Sequence, residues 1–336
     1  MSKFYKKWIE LNNSVTGLWS GDIKYSDTQS VKNKLDELND EISYVIASGY
    51  FAGGYNSNYQ SYIDKLLFSN EVRSTLITTL SRSVGYQSAC NSTLSGYFAG
   101  GNSATQSFID KLLFSNESRS TLAATLSQSV YLQSACNSSL VGYFAGGYNG
   151  STYYSYIDKL LFSSEVRSTL ATTTLSRSVE CQSACNSSLA GYFAGGYIYN
   201  NIGIYYSYID KLLFSNESQS VLSVTLSRSV DNQSACNSST AGYFSGGYNG
   251  SYQSFIDKLL FSNDSRSTLS AILSRSVYIQ SACNSSISGY FSGGYNGSYQ
   301  SYIDKLLFSN DSRSTLIATL SRTVYGQSVC QSGNIL

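Results

Sequence analysis

One hexapeptide, Gly-Tyr-Phe-Ala/Ser-Gly-Gly, recurs six times and limits what the chain can fold into. Its copies begin at Gly49, Gly96, Gly142, Gly191, Gly242 and Gly289, at spacings of 46 to 51 residues. The stretch from Gly289 to the last residue is 48 long, so six units fit with nothing left over. A period of this length marks solenoids or propellers. In the unit 177–227 the segments QSAC, GYFA, YIDKLLF and VLSVTL are short and rich in aliphatic and aromatic residues. Gly, Asn and Ser clusters separate them, which gives four strand signals per unit. A helical repeat would need two amphipathic stretches of ten or more residues, and none is visible. Four strands per unit predict an all-β chain of propeller blades closed in a ring.

The order Arg-Ser, strand, Asn-containing turn, aromatic strand ending in Gly-Gly, variable loop and Asp-containing strand resembles the kelch repeat. Arg82-Ser83, Gly100-Gly101 and Asp110 carry the match in one unit, and Arg228-Ser229, Gly246-Gly247 and Asp257 in another. The chain departs from that pattern in lacking the fourth-strand Trp, with Leu122 and Leu170 in that region, and in having Gln128 where other units have Arg. The tandem units Ile256-Asp257 through Asp264 and Gly289 to Gly294 are also similar to repeats in virion-associated and tail-fibre-like proteins of tailed bacteriophages of aquatic bacteria. That resemblance implies a virion location and a structural or receptor-binding role.

Ring closure has two solutions. In one, a terminal strand at Ser328–Gln331 completes the blade begun at Gly49, giving six blades. In the other, residues 41–48 supply that strand and the C-terminal piece joins Gly17–Tyr25 in a partial seventh blade. Six Gly-Gly strands and six QSAC-type strands favour the first.

The propeller is expected over 43–336, and residues 1–42 form a separate attachment or oligomerisation segment. There Val31, Leu35, Leu38 and Ile42 recur at intervals of 4, 3 and 4, one stripe of a short helix. The stripe suits a coiled coil or equally a helix packed on the propeller's side. Phe4, Trp8, Ile9 and Trp19 form a docking arm. Other virion proteins are the expected partners of this segment, with a homo-oligomer, as a first guess a trimer, also in view.

Composition removes several functions. Twenty-two Lys+Arg against 21 Asp+Glu leave a net charge of +1, without the basic face that nucleic acid requires. There is no His, so the commonest general base and metal ligand are missing. No apolar run is long enough to cross a membrane, and the N-terminus reads as mature sequence without a secretion signal. Six of the seven Cys recur once per unit, from Cys90 to Cys330, as small buried hydrophobes on the innermost strand. Cys181 is the extra one. Asp64, Asp110, Asp158, Asp210, Asp257 and Asp304 recur equally and read as architecture. An enzyme would need a symmetry-breaking acid or metal cluster, and none stands out; no catalytic residue, metal or cofactor is expected.

Variation between units points to one face. The loop after Gly-Gly changes length, and the dipeptide before the conserved Gln changes identity: Gly85-Tyr86, Tyr131-Leu132, Glu180-Cys181, Asp231-Asn232, Tyr278-Ile279 and Tyr325-Gly326. In an up-and-down blade both lie at the same end. Their Tyr, Asn, Ser and Gly content is that of binding loops, and exposed loops also drift freely. The candidate contact residues are Tyr86, Tyr131, Tyr153, Tyr154, Tyr197, Tyr199, Tyr205, Tyr206, Tyr252, Tyr278, Tyr299 and Tyr325. They suit a host surface glycan or protein; a free carbohydrate-binding propeller is the alternative.

Overall fold

The computed structural model describes residues 47–333. The stripe Val31, Leu35, Leu38 and Ile42, its helix, and Trp8 and Trp19 lie outside the described residues. Within them the structure is all β and six-bladed. Each blade is a four-stranded antiparallel sheet whose strands follow one another outward from the axis. In the second blade these are Ser88–Asn91, Ser95–Ala99, Phe108–Leu113 and Ser118–Thr125. The inner strands, Ser-Ala-Cys-Asn in five blades and Ser328–Ser332 in the first, adjoin one another all the way round and form the inner wall.

The first blade is built from both ends of this unit. Ser328–Ser332 pairs antiparallel with Ser48–Ala52, in the register Ser48 to Ser332 and Ala52 to Ser328. This is the six-blade closure. The described residues contain no seventh blade, because the strand beside Ser48–Ala52 is supplied from the C-terminal side.

The recurrent hexapeptide is explained by what lies on its two sides. The second strand is buried along its whole length, because a neighbouring blade covers each face. Its Tyr faces the following blade and stacks on a Phe there, as Tyr50 does on Phe114 and Tyr97 on Phe162, at ring separations of 5.2 and 5.1 Å. Its Phe faces the preceding blade, where Phe98 joins Tyr50, Leu80 and Cys330. Its Gly faces the same way and leaves room for a Cys. A Cβ on Gly96 would stand 2.2 Å from the Cys330 Sγ, and one on Gly49 2.6 Å from that of Cys283. All seven Cys are free and buried, Cys181 included. The core is thus six interblade layers, each of the same residue types.

Polar contacts repeat in step. The Asp110 carboxylate accepts the Thr121 hydroxyl at 2.6 Å and the Ser81 N–H of the preceding linker at 2.8 Å. A Lys on the third strand meets an acid on the following blade, as in Lys65–Glu117 at 2.5 Å and Lys258–Asp311 at 2.7 Å. The Arg of Arg-Ser lies over the aromatic ring that opens the next blade's third strand, with Arg82 4.3 Å from Phe108.

The outer strand differs from expectation. The fourth blade uses Gln219–Val221, not 221–226. Leu222, Val224 and Leu226 alternate like a strand, but they pack against the core after the chain has left the ladder. Long outer strands occur only in the second and third blades, at Ser118–Thr125 and Val166–Thr174.

Candidate binding face

Strand direction sorts the loops onto two ends of the ring. The turns from inner to second strand lie at one end. The loops after Gly-Gly and those entering the inner strand share the other, and there they pair: Tyr131 with Tyr148, Glu180 with Tyr197, Asp231 with Tyr248, Tyr278 with Tyr295 and Tyr325 with Tyr55. The two variable regions therefore form one surface. The Gly-Gly pair makes this possible, since Gly53 and Gly54 adopt φ of 69° and 101°, which favours glycine.

The second residue of each variable dipeptide builds a floor. The Leu132 N–H donates to the Tyr86 carbonyl, Cys181 to Leu132, Asn232 to Cys181, Ile279 to Asn232, Gly326 to Ile279 and Tyr86 to Gly326, at 2.7 to 3.1 Å. This backbone ring encircles the axis without a break. Every member has a positive φ, 52° even for Ile279, a conformation that a β-branched residue holds only when its surroundings fix it.

Above the floor stands a crown of tyrosine. Ring contacts run from Tyr197 through Tyr205, Tyr248, Tyr252, Tyr295 and Tyr299 to Tyr325, with centroids 5.2 to 6.3 Å apart. They continue through Tyr55 and Tyr59 to Tyr86, whose hydroxyl lies 2.9 Å from that of Tyr325. Tyr278 joins the arc beside Tyr248 and Tyr295. Tyr131, Tyr148 and Tyr153 form a second group on the third blade. The Tyr199 N–H donates to the Tyr153 hydroxyl at 3.0 Å and links the two groups. The arc breaks at the second blade, where Gly85 and Asn102 replace the aromatic pair.

The candidate residues divide accordingly. Tyr86, Tyr131, Tyr153, Tyr197, Tyr205, Tyr252, Tyr278, Tyr299 and Tyr325 belong to the crown. Tyr199 stands at its rim, 59% exposed, on a β-hairpin of Tyr197–Asn200 and Ile202–Tyr205. Tyr154 and Tyr206 lie lower: Tyr154 packs on Tyr156, and Tyr206 lies between the core and Arg177. Tyr55, Tyr59, Tyr148, Tyr248 and Tyr295 were not singled out from sequence, although a Tyr directly after Gly-Gly in five of six units was the available sign.

A second omission matters more. Glu180 and Asp231 occupy the dipeptide position that holds Tyr131, Tyr278 and Tyr325 in other blades, so they are a symmetry-breaking acid pair. They are 8% and 7% exposed, and Glu180 Oε2 and Asp231 Oδ1 are buried without a hydrogen-bond partner. Burial, reinforced by the Asp231 charge, pushes the Glu180 carboxyl up to about 7. Burial also raises Asp231 to about 7, against hydrogen bonds from Asn232 and its own backbone. The nearby Tyr131 phenol is held up to about 12, by burial first and the Glu180 charge second. Among the described residues no group of three or more His, Cys, Asp or Glu could hold a metal ion.

The opposite end carries a ring of side-chain amides. The Asn137 Oδ1 accepts the Asn91 N–H, and the Asn91 Oδ1 that of Gln331. The adjoining turns expose Leu94, Leu140, Leu189 and Ile287. Ser48 and Ser332 are at this end too.

No protein-family model matches the chain, and neither does any curated protein.

Proposed function

We propose that this chain is a non-enzymatic component of a bacteriophage particle, tethered through its N-terminal segment to other virion proteins and presenting the tyrosine crown to a host-surface glycan. The observation that carries the reading is the position of the crown. It occupies the end of the ring opposite Ser48 and Ser332, so the aromatic face lies apart from the strand ends at which the chain enters and leaves the ring. Stacked phenol rings give apolar contact area at small entropy cost, with hydroxyls free to hydrogen-bond, which suits the alternating apolar and polar faces of sugars. The exposed aliphatic turns at the other end fit contact with neighbouring virion proteins. The likeness to phage repeats supplies the setting, and the kelch-like order of the repeat fits the ring. Oligomerisation through residues 1–42, as a trimer, belongs to the same proposal.

Two measurements test it. On a panel of bacterial surface glycans the full chain should bind at least one, and Tyr252→Ala with Tyr299→Ala should weaken that binding tenfold or more while the melting temperature holds. Antibodies to the full chain should decorate intact phage particles from the same source. Failure to bind any glycan ends the recognition half of the reading, and unlabelled particles end the virion half.

A further inference from the structure

The linkers between blades carry Arg82, Arg177, Arg228, Arg275 and Arg322, with Gln128 in the remaining place. Each linker joins the end of an outer strand to the variable dipeptide before the next inner strand, so all of them lie at the crown end. Other charges of the ring are spent in pairs. The recurrent Lys residues each meet an acid on the following blade. Arg73, Arg167, Arg266 and Arg313 lie 3.7 to 3.9 Å from a recurrent Asp. The linker arginines form no ion pair among the described residues, and Arg82, Arg228 and Arg275 are exposed. Glu180 and Asp231, at the same end, are buried, so the charge shown to solvent there is positive.

The guanidinium groups are also held in place. Arg322 lies 3.3 Å from the Tyr62 ring and Arg177 3.5 Å from that of Tyr208. Arg82, Arg275 and Arg228 lie 4.3 to 4.6 Å from Phe108, Tyr302 and Phe255. Stacking occupies the flat face of a guanidinium and leaves the N–H groups at its edge to donate in the plane. Two contacts place these groups beside the crown. Arg275 Nη1 donates to Gln300 Oε1 at 3.4 Å, next in sequence to Tyr299, and Arg177 lies 5.5 Å from the ring of Tyr206, next to Tyr205. Closure does not require the charge, because Gln128 serves between the second and third blades.

We infer that the glycan bound at the crown is acidic, its rings stacking on tyrosine while its carboxylates are taken by the linker arginines. The inference rests on the glycan reading above and names the class of sugar. The edge of an arginine meets a carboxylate with two parallel N–H···O bonds, and its charge does not titrate away. One cation per blade suits charges set at intervals along a sugar polymer. Single-stranded nucleic acid also stacks on aromatic rings, but it carries a phosphate at every nucleotide and calls for a denser basic tract.

The test compares hexamers of alginate, hyaluronate and galacturonate with their carboxyl-reduced forms, in which each carboxylate has become a hydroxymethyl group. Titration calorimetry with the full chain should show at least one acidic hexamer binding tenfold or more tightly than its reduced form. In Arg228→Gln/Arg275→Gln that gap should close to within threefold, while the reduced form binds as before. Gln128 is the precedent for this side chain in a closed ring. Should the variant fail to fold, the wild type is titrated at low and high salt, where screening should narrow the gap severalfold. Equal affinities for acidic and reduced forms overturn the inference, as does a gap that survives the double variant or is unmoved by salt. Hexathymidylate bound as tightly as the best acidic hexamer overturns it too, in favour of a general polyanion site. If none of the sugar hexamers binds but another glycan does, the acidic class falls and the glycan reading stands. If no glycan binds, both fall.

Discussion

At the residue scale the telling feature is a left-handed backbone occupied by acids. Glu71, Glu117, Glu165, Glu217, Asp264 and Asp311 all have φ between 54° and 59°, where Gly or Asn is usual. Each instead spends its side chain on a Lys of the preceding blade, as Glu165 does on Lys111 at 2.5 Å. The contact ties blades together at a cost in local strain of roughly 1–2 kcal/mol. Glu180 and Asp231 are the contrasting case, because no Lys or Arg among the described residues pairs with them. Their folded pKa values near 7 stand above those of the unfolded chain. The folded state therefore binds the extra protons between about pH 4 and 7. The stability this provides is complete below about pH 4, falls as pH rises through 7, and then levels off. With about 1.4 kcal/mol per pKa unit, the loss is on the order of 3–4 kcal/mol for each of the two acids. The chain has no His to add its own slope. Calorimetric melting from pH 4 to 8 should show a falling midpoint, largely flattened in Glu180→Gln/Asp231→Asn; parallel curves for variant and parent would refute the assignment.

At the element scale, the second strand carries the interblade contact, and its glycine is a packing residue. Gly96 does not have a positive φ, yet a Cβ there meets the Cys330 sulfur at 2.2 Å. Gly96→Ala should therefore cost about 1–3 kcal/mol by overpacking, and adding Cys330→Ala should recover part of it. Urea denaturation of the two single variants and the double measures this, and simple additivity would show that the two residues do not press on each other. Such reasoning also explains what could be read from sequence. The inner, second and third strands were legible because burial by neighbouring blades imposes residue types at every turn of the ring. The outer strand was misplaced because its free edge imposes nothing: Leu222, Val224 and Leu226 alternate as a strand would, but in a packed linker. The crown was half legible. That two variable loops share one end follows from strand direction alone. That Glu180 stands where Tyr278 stands in another blade becomes meaningful only once Glu180–Tyr197 and Tyr278–Tyr295 are seen as the same pairing.

At the scale of the whole molecule, stability depends on closure. Six like interfaces hold the ring, and the first blade lacks an inner strand until Ser328–Ser332 arrives. Deleting 322–336 removes that strand with Cys330 and leaves Ser48–Ala52 with an open edge. Thermal melting of the truncated chain should be lowered by ten degrees or more, or cooperativity should be lost; an unchanged midpoint would mean that the ring does not need this latch.

The latch also orders events in time. The first strand of the ring to leave the ribosome waits for the last, so every earlier blade can form while the circle stays open. During that wait the bare edge at Ser48–Ala52 matches the final strand of any sister chain as well as its own, because both carry the same sequence. Synthesis at high local concentration therefore risks linked chains, each closed by its neighbour's end. A product cut short before Ser328 is worse placed, since it keeps the adhesive edge and has no strand of its own to cover it. In this fold, truncation and stickiness are the same defect.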